Sequence, residues 1–184
     1  MKINLFNLFR KENNLQKFYP RSSFEKLLES KKSYPFFSSL ENNKIHAYST
    51  RFMINLIDVK KIENEIEVFF HKKIKENKES LSFNGKALHF FKFEEFNQTV
   101  IAIITNNNKF IKNLYDMNLE PPAPHIVFPE RDFEALGSLQ GDVELWWNVY
   151  WSPFWSSLTE EEKGKYLVRS ELSSELSEFL ILHS

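Results

Sequence analysis

SLSFNGKALHFF, residues 80–91, holds two apolar-alternating runs that meet at Asn84-Gly85. A two-residue Asn-Gly loop suits a type I′ turn, whose central residues both need positive φ. The hairpin it predicts puts Leu81, Phe83, Leu88 and Phe90 on one face, and Ser82, Ala87, His89 and Phe91 on the other. Downstream, Thr99 to Thr105 is a nearly continuous apolar run, as expected of a central strand covered on both faces. Upstream, residues 45–57 (IHAYSTRFMINLI) are rich in β-branched and aromatic residues, which predicts one or two further strands. Together these give a small antiparallel sheet over about 45–105.

Helical signals flank the sheet. Ser22 and Glu25 form a capping-box pattern ahead of Leu27 and Leu28, predicting a helix over 23–31, and Pro35 opens a short one to Leu40. In 59–78, Ile62, Ile66, Phe69, Phe70 and Ile74 fit a helical stripe with Asp58 as cap, while Ile66, Val68 and Phe70 also alternate as in a strand. Twenty residues without Gly or Pro favour the helix. A helix over 109–117 carries Phe110, Ile111 and Leu114, and Pro121, Pro122 and Pro124 then form an extended connector. Beyond it, Leu136, Leu139, Val143, Trp146, Trp147, Tyr150 and Phe154 share a helical face that Ser152-Pro153 should interrupt. Thr159 with Glu162 predicts the next helix start, and Val168, Leu172, Leu176 and Phe179 continue the apolar stripe with Glu171, Glu175 and Glu178 outside. The fold class is therefore α+β: the sheet packed with N-terminal and C-terminal helices, in one domain over 1–184 with 125–184 as a candidate helical subdomain.

Composition bounds the chemistry. With 184 residues, 42% hydrophobic and 27% charged, the chain has the usual globular mix. No cysteine is present, which removes disulfides, thiolate nucleophiles and zinc–thiolate sites. Four glycines, none in a phosphate-loop or dinucleotide pattern, argue against nucleotide cofactors. The leading MKINLFNLF is broken by Asn4 and Asn7 and lacks a small-residue cleavage site, so it reads as a segment docked on the core rather than an export signal. The longest apolar run, Val100 to Ile104, is five residues, far from a membrane span. A cytoplasmic address follows as the expectation.

The net charge of −1 conceals a split: residues 1–92 carry 18 Lys/Arg against 10 Asp/Glu, residues 93–184 carry 6 against 15. Such an asymmetry steers encounters with oppositely charged partners. The basic stretch Lys72, Lys73, Lys75, Lys78 has aromatic neighbours, but Glu76 and Glu79 interrupt it and a pI near 6.5 is far from a nucleic-acid footprint. The five histidines (His46, His71, His89, His125, His183) are scattered without metal-ligand spacing, and no metal or cofactor is expected. Acids two apart point some 200° from each other on a helix, too far to share a metal or work as a dyad, and no catalytic residue is assigned.

The densest feature is Asp132 to Trp155. Trp146, Trp147, Trp151 and Trp155 fall within ten residues, inside the most acidic window of the chain. On a regular wheel Trp151 lies about 80° off the buried stripe and Trp155 follows the proline break, so both are candidate surface anchors, the alternative being that all four tryptophans pack between the C-terminal helices and the sheet. A rim of Asp132, Glu134, Asp142 and Glu144 around them would suit a cationic protein. The reading that follows is non-catalytic: an inhibitor of the immunity or antitoxin type that neutralises a basic toxin through an acidic, aromatic surface. Competing readings are an enzyme pairing His89 or His125 with a carboxylate from 130–144, and a structural subunit self-associating through the Trp-rich helix.

Overall fold

The computed structural model describes residues 15–27, 34–133 and 139–183. Five antiparallel strands form one sheet: β1 (Ser38–Ser39), β2 (Tyr48–Met53), β3 (Lys78–Phe83), β4 (Lys86–Glu95) and β5 (Gln98–Thr105), in spatial order β1-β2-β5-β4-β3. Asn84 and Gly85 sit at φ 47° and 74°, and the register pairs Phe83 with Lys86 and Leu81 with Leu88. β5 is the central strand, paired with β2 on one side and β4 on the other. The turn from β4 to β5 was not legible: Phe96 and Asn97 both take positive φ, an unusual conformation for phenylalanine. Contacts of the Phe96 ring with Phe128 and Tyr150 hold it there. Gly85→Ala meets no atom within 4 Å, so its cost is backbone strain alone. Urea unfolding should show a loss of about 1 kcal/mol.

The helices are α1 (Leu15–Phe18), α2 (Leu56–Phe70), α3 (Asn108–Asp116), α4 (Pro124–Val127), α5 (Gly141–Trp146), α6 (Ser152–Trp155), α7 (Glu160–Arg169) and α8 (Ser174–Leu182). On one face of the sheet Ala87, Ala102 and Ile104 pack with Leu15, Tyr19, Leu40 and Ile45. On the other, Leu88, Phe90, Ile101 and Ile103 join one core with α2, α3 and the C-terminal helices. Residues 59–78 resolve into α2 followed by a loop and β3; Asn55 rather than Asp58 holds the N-cap position of α2, and His71 follows its last turn in the left-handed conformation.

Two helices expected near the N-terminus do not form as read. Residues 21–23 make a single 3-10 turn and Phe24 is extended, while 28–33 lie outside the described residues. Tertiary contacts outweigh the local capping signal there: Leu27 N–H donates to the Tyr48 hydroxyl, Phe24 stacks on Tyr48, and Glu25 pairs with Lys86. Ser38 and Ser39, expected within a helix from Pro35, instead pair with β2 as its edge strand.

The larger correction concerns Ser152-Pro153. The chain stays helical from Gly141 to Trp155 by opening into a π turn over Trp147–Trp151. Pro153 has no N–H and its ring crowds the carbonyl four residues back; a wider turn removes both conflicts. The Ser152 N–H donates to Trp147 O, five residues earlier. Thr159 and Glu162 form the predicted capping box at the start of α7. Val168, placed in the apolar stripe by its spacing, is 82% exposed because it lies about 200° around α7 from the buried Tyr166.

Candidate functional site

The π turn decides what the tryptophans do. At 3.6 residues per turn Trp146 and Trp151 would point roughly 140° apart; one wide turn brings them onto the same side. Trp146 stacks on Trp151 (centroids 5.6 Å apart, 28°), and Trp151 on Trp155 (5.8 Å, 21°). Tyr166 closes edge-on against both Trp151 and Trp155, and the Trp146 indole N–H donates to Met53 Sδ at 3.3 Å. Trp151 and Trp155 are 0% and 1% exposed. Both are core residues, and neither presents a surface to a partner. The surface-anchor reading of Trp151 and Trp155 is therefore corrected in favour of the core reading, because the regular wheel that put Trp151 off the stripe does not apply across a π turn.

The acids fall differently. Asp132, Asp142 and Glu144 are exposed, and Glu134 lies outside the described residues. Asp142 and Glu144 flank the buried Val143 at the start of α5, on opposite sides of the helix, where its N-terminal dipole favours them. Asp132 precedes Phe133, whose ring packs on Phe179 (5.3 Å) and through it on Trp147. Asp132, Asp142 and Glu144 are exposed while Trp151 and Trp155 are buried, so these residues form no acidic rim around an exposed aromatic centre.

More carboxylates extend this surface. Glu160, Glu161 and Glu162 occupy the first turn of α7; Glu171, Glu175 and Glu178 are exposed around α8. The cations within α7 are already engaged: Lys163 with Glu160 (2.9 Å), Lys165 with Glu161 (2.6 Å), and Arg169 with Glu120. Asp142, Glu144, Glu171 and Glu178 have no cation partner among the described residues. Glu175 is held below the usual carboxylate range by its own backbone N–H and the hydroxyls of Ser174 and Ser173, so it stays charged.

The helical layer is fastened to the sheet by Arg51, which sequence reading missed. Its guanidinium lies between the Phe93 and Tyr150 rings (5.3 and 5.2 Å), pairs with Glu95, and Glu95 also accepts from the Tyr150 hydroxyl. Burial pushes the phenol of Tyr150 up, and Glu95 adds to it. Burial likewise raises Tyr34 well above its ordinary value, and Tyr115 and Tyr166 to about 12. A tyrosine whose folded pKa exceeds its unfolded value near 10 leaves stability intact below 10 and loses it as pH climbs through the folded value. Urea midpoints should therefore be level from about pH 7 to 9.5 and fall between about 10 and 12, together with the rise of tyrosinate absorbance.

Of the histidines named for catalysis, His89 is 0% exposed on the sheet, 2.5 Å through Nδ1 from the Tyr19 hydroxyl, which donates to Ile104 O. No substrate reaches it in this conformation. His125 is exposed on α4. Among the described residues no three His, Asp or Glu are grouped to hold a metal ion, and no helix is long and apolar enough to cross a membrane.

Fold and surface together define an α+β protein with an acidic helical layer built over an indole stack. Comparison with family models, with curated proteins and with solved structures yields no match for this chain.

Proposed function

We propose that the protein is a cytoplasmic, non-catalytic inhibitor that binds a cationic protein, such as a toxin domain, through the acidic exterior of its C-terminal helices. The observation that carries this reading is the excess of exposed carboxylates on that layer. Each α7 cation is paired with one acid, yet exposed carboxylates on α5 and α8 have no cation partner among the described residues. Helix N-termini account for some of them, at about 0.3–1 kcal/mol each, but not for Glu171 at the start of the loop before α8 or Glu178 within α8. An excess of one sign of charge favours fast association with a positive surface. The buried tryptophans contribute by making a rigid platform, so that binding orders little at the surface.

Affinity capture from the source cells at about 0.15 M and 0.5 M salt, read by mass spectrometry, tests this reading. One stoichiometric basic protein, weakened at the higher salt, is the expected result. A partner held equally at both salts, or an acidic one, contradicts it.

A further inference from the structure

A cleft of about 480 Å³ opens between the C-terminal end of α3 and the helix α7. This is within the size range of small-molecule sites. Its floor is apolar and rigid: Tyr34, Leu119 and Phe154 are 7%, 2% and 2% exposed, and the Tyr34 hydroxyl is occupied by Met53 O. Tyr115 and Leu158 form half-buried walls. The rim carries both signs of charge, Glu120 and Glu162 against Lys165 and Arg169.

The state of these rim groups decides what fits. Arg169 lies over Tyr166 (5.1 Å) and spends one guanidinium nitrogen on Glu120, with its side chain still 54% exposed. A guanidinium has five donors, so capacity for a carboxylate remains. Lys165, 71% exposed, likewise uses one of three donors on Glu161. Glu162 accepts the Thr159 N–H at 2.7 Å, and a carboxylate has several acceptor positions. With two acids and two bases the rim has no net charge, so an ion of either sign meets as much repulsion as attraction. A molecule with an ammonium and a carboxylate at one end of an apolar body meets attraction for both.

We propose that this cleft binds an apolar or aromatic α-amino acid, its side chain on Tyr34, Leu119 and Phe154 and its charged groups among Glu120, Glu162, Lys165 and Arg169. The proposal is independent of the protein-binding reading, since it concerns a different surface chemistry and a different class of ligand.

The test is an amide-resolved NMR titration of the full chain with L-phenylalanine, alongside 3-phenylpropionate, which lacks the ammonium, and 2-phenylethylamine, which lacks the carboxylate. Saturable shifts at Asn118, Ser157 and Leu158 are expected with phenylalanine, and binding of each analogue about tenfold weaker or worse. Lys165→Glu, at an exposed rim position that the fold does not need, should weaken phenylalanine binding by a similar factor while leaving the remaining spectrum unchanged. No saturable shift at these amides by about 20 mM phenylalanine overturns the proposal. So does equal binding of the amine, which would make the cleft a cation socket, or of the acid, which would make it an anion site.

Discussion

Trp151→Ala is expected to cost about 4–5 kcal/mol of stability, the upper part of the range for deleting a large buried aromatic. The indole is wholly enclosed, stacked on Trp146 and Trp155 and met edge-on by Phe154 and Tyr166. Since a domain of this kind is stable by only about 5–15 kcal/mol, the variant loses between about a quarter and nearly all of its stability. Its indole N–H has no hydrogen-bond partner among the described residues, which subtracts a little from the loss. Urea denaturation followed by far-UV circular dichroism measures it. A loss under about 1 kcal/mol would mean that the stack does not carry the C-terminal fold, since such a value belongs to a surface tryptophan.

Arg51→Ala is the second large effect, about 3 kcal/mol. The change strips a positive charge from a carboxylate whose side chain is only 18% exposed, and removes the plane that separates Phe93 from Tyr150. Glu95 is left with a phenol and no cation. The double variant Arg51→Ala/Glu95→Ala should recover part of the loss, giving a coupling energy of about 1–3 kcal/mol in the cycle. Strict additivity would show that the pair is incidental to how the helices attach.

These two effects mark where sequence reading succeeded and where it stopped. The sheet was legible because its signals are local: Asn84-Gly85 can adopt the positive φ that a type I′ turn demands, and Val100 to Ile104 is apolar on both faces because both faces are covered. The capping box of Thr159 and Glu162 was legible for the same reason. The π turn was not, because a proline in a helix can end it or widen it, and only the packing of Trp146, Trp151 and Tyr166 chooses between them. Arg51, Glu95 and Tyr150 are separated by more than forty residues and carry no shared spacing, so no pattern joins them. Asp132, Asp142 and Glu144 were found by charge alone and are exposed; the tryptophans chosen beside them went to the core.

Asp142→Lys and Glu144→Lys probe the acidic exterior without touching that core. Both positions are exposed, and reversing them forfeits a favourable helix-end interaction of about 0.3–1 kcal/mol each. The fold should survive, with an unchanged circular dichroism spectrum and a melting temperature lowered by only a few degrees.

The most direct test of the central claim is the association rate of the captured partner with the wild-type protein and with the Asp142→Lys/Glu144→Lys variant, measured across ionic strength. The account predicts a wild-type rate that falls steeply as salt rises, and a variant rate that is about tenfold or more slower at low salt and nearly flat with salt. Equal rates with equal salt slopes would contradict it and place recognition away from the C-terminal helices.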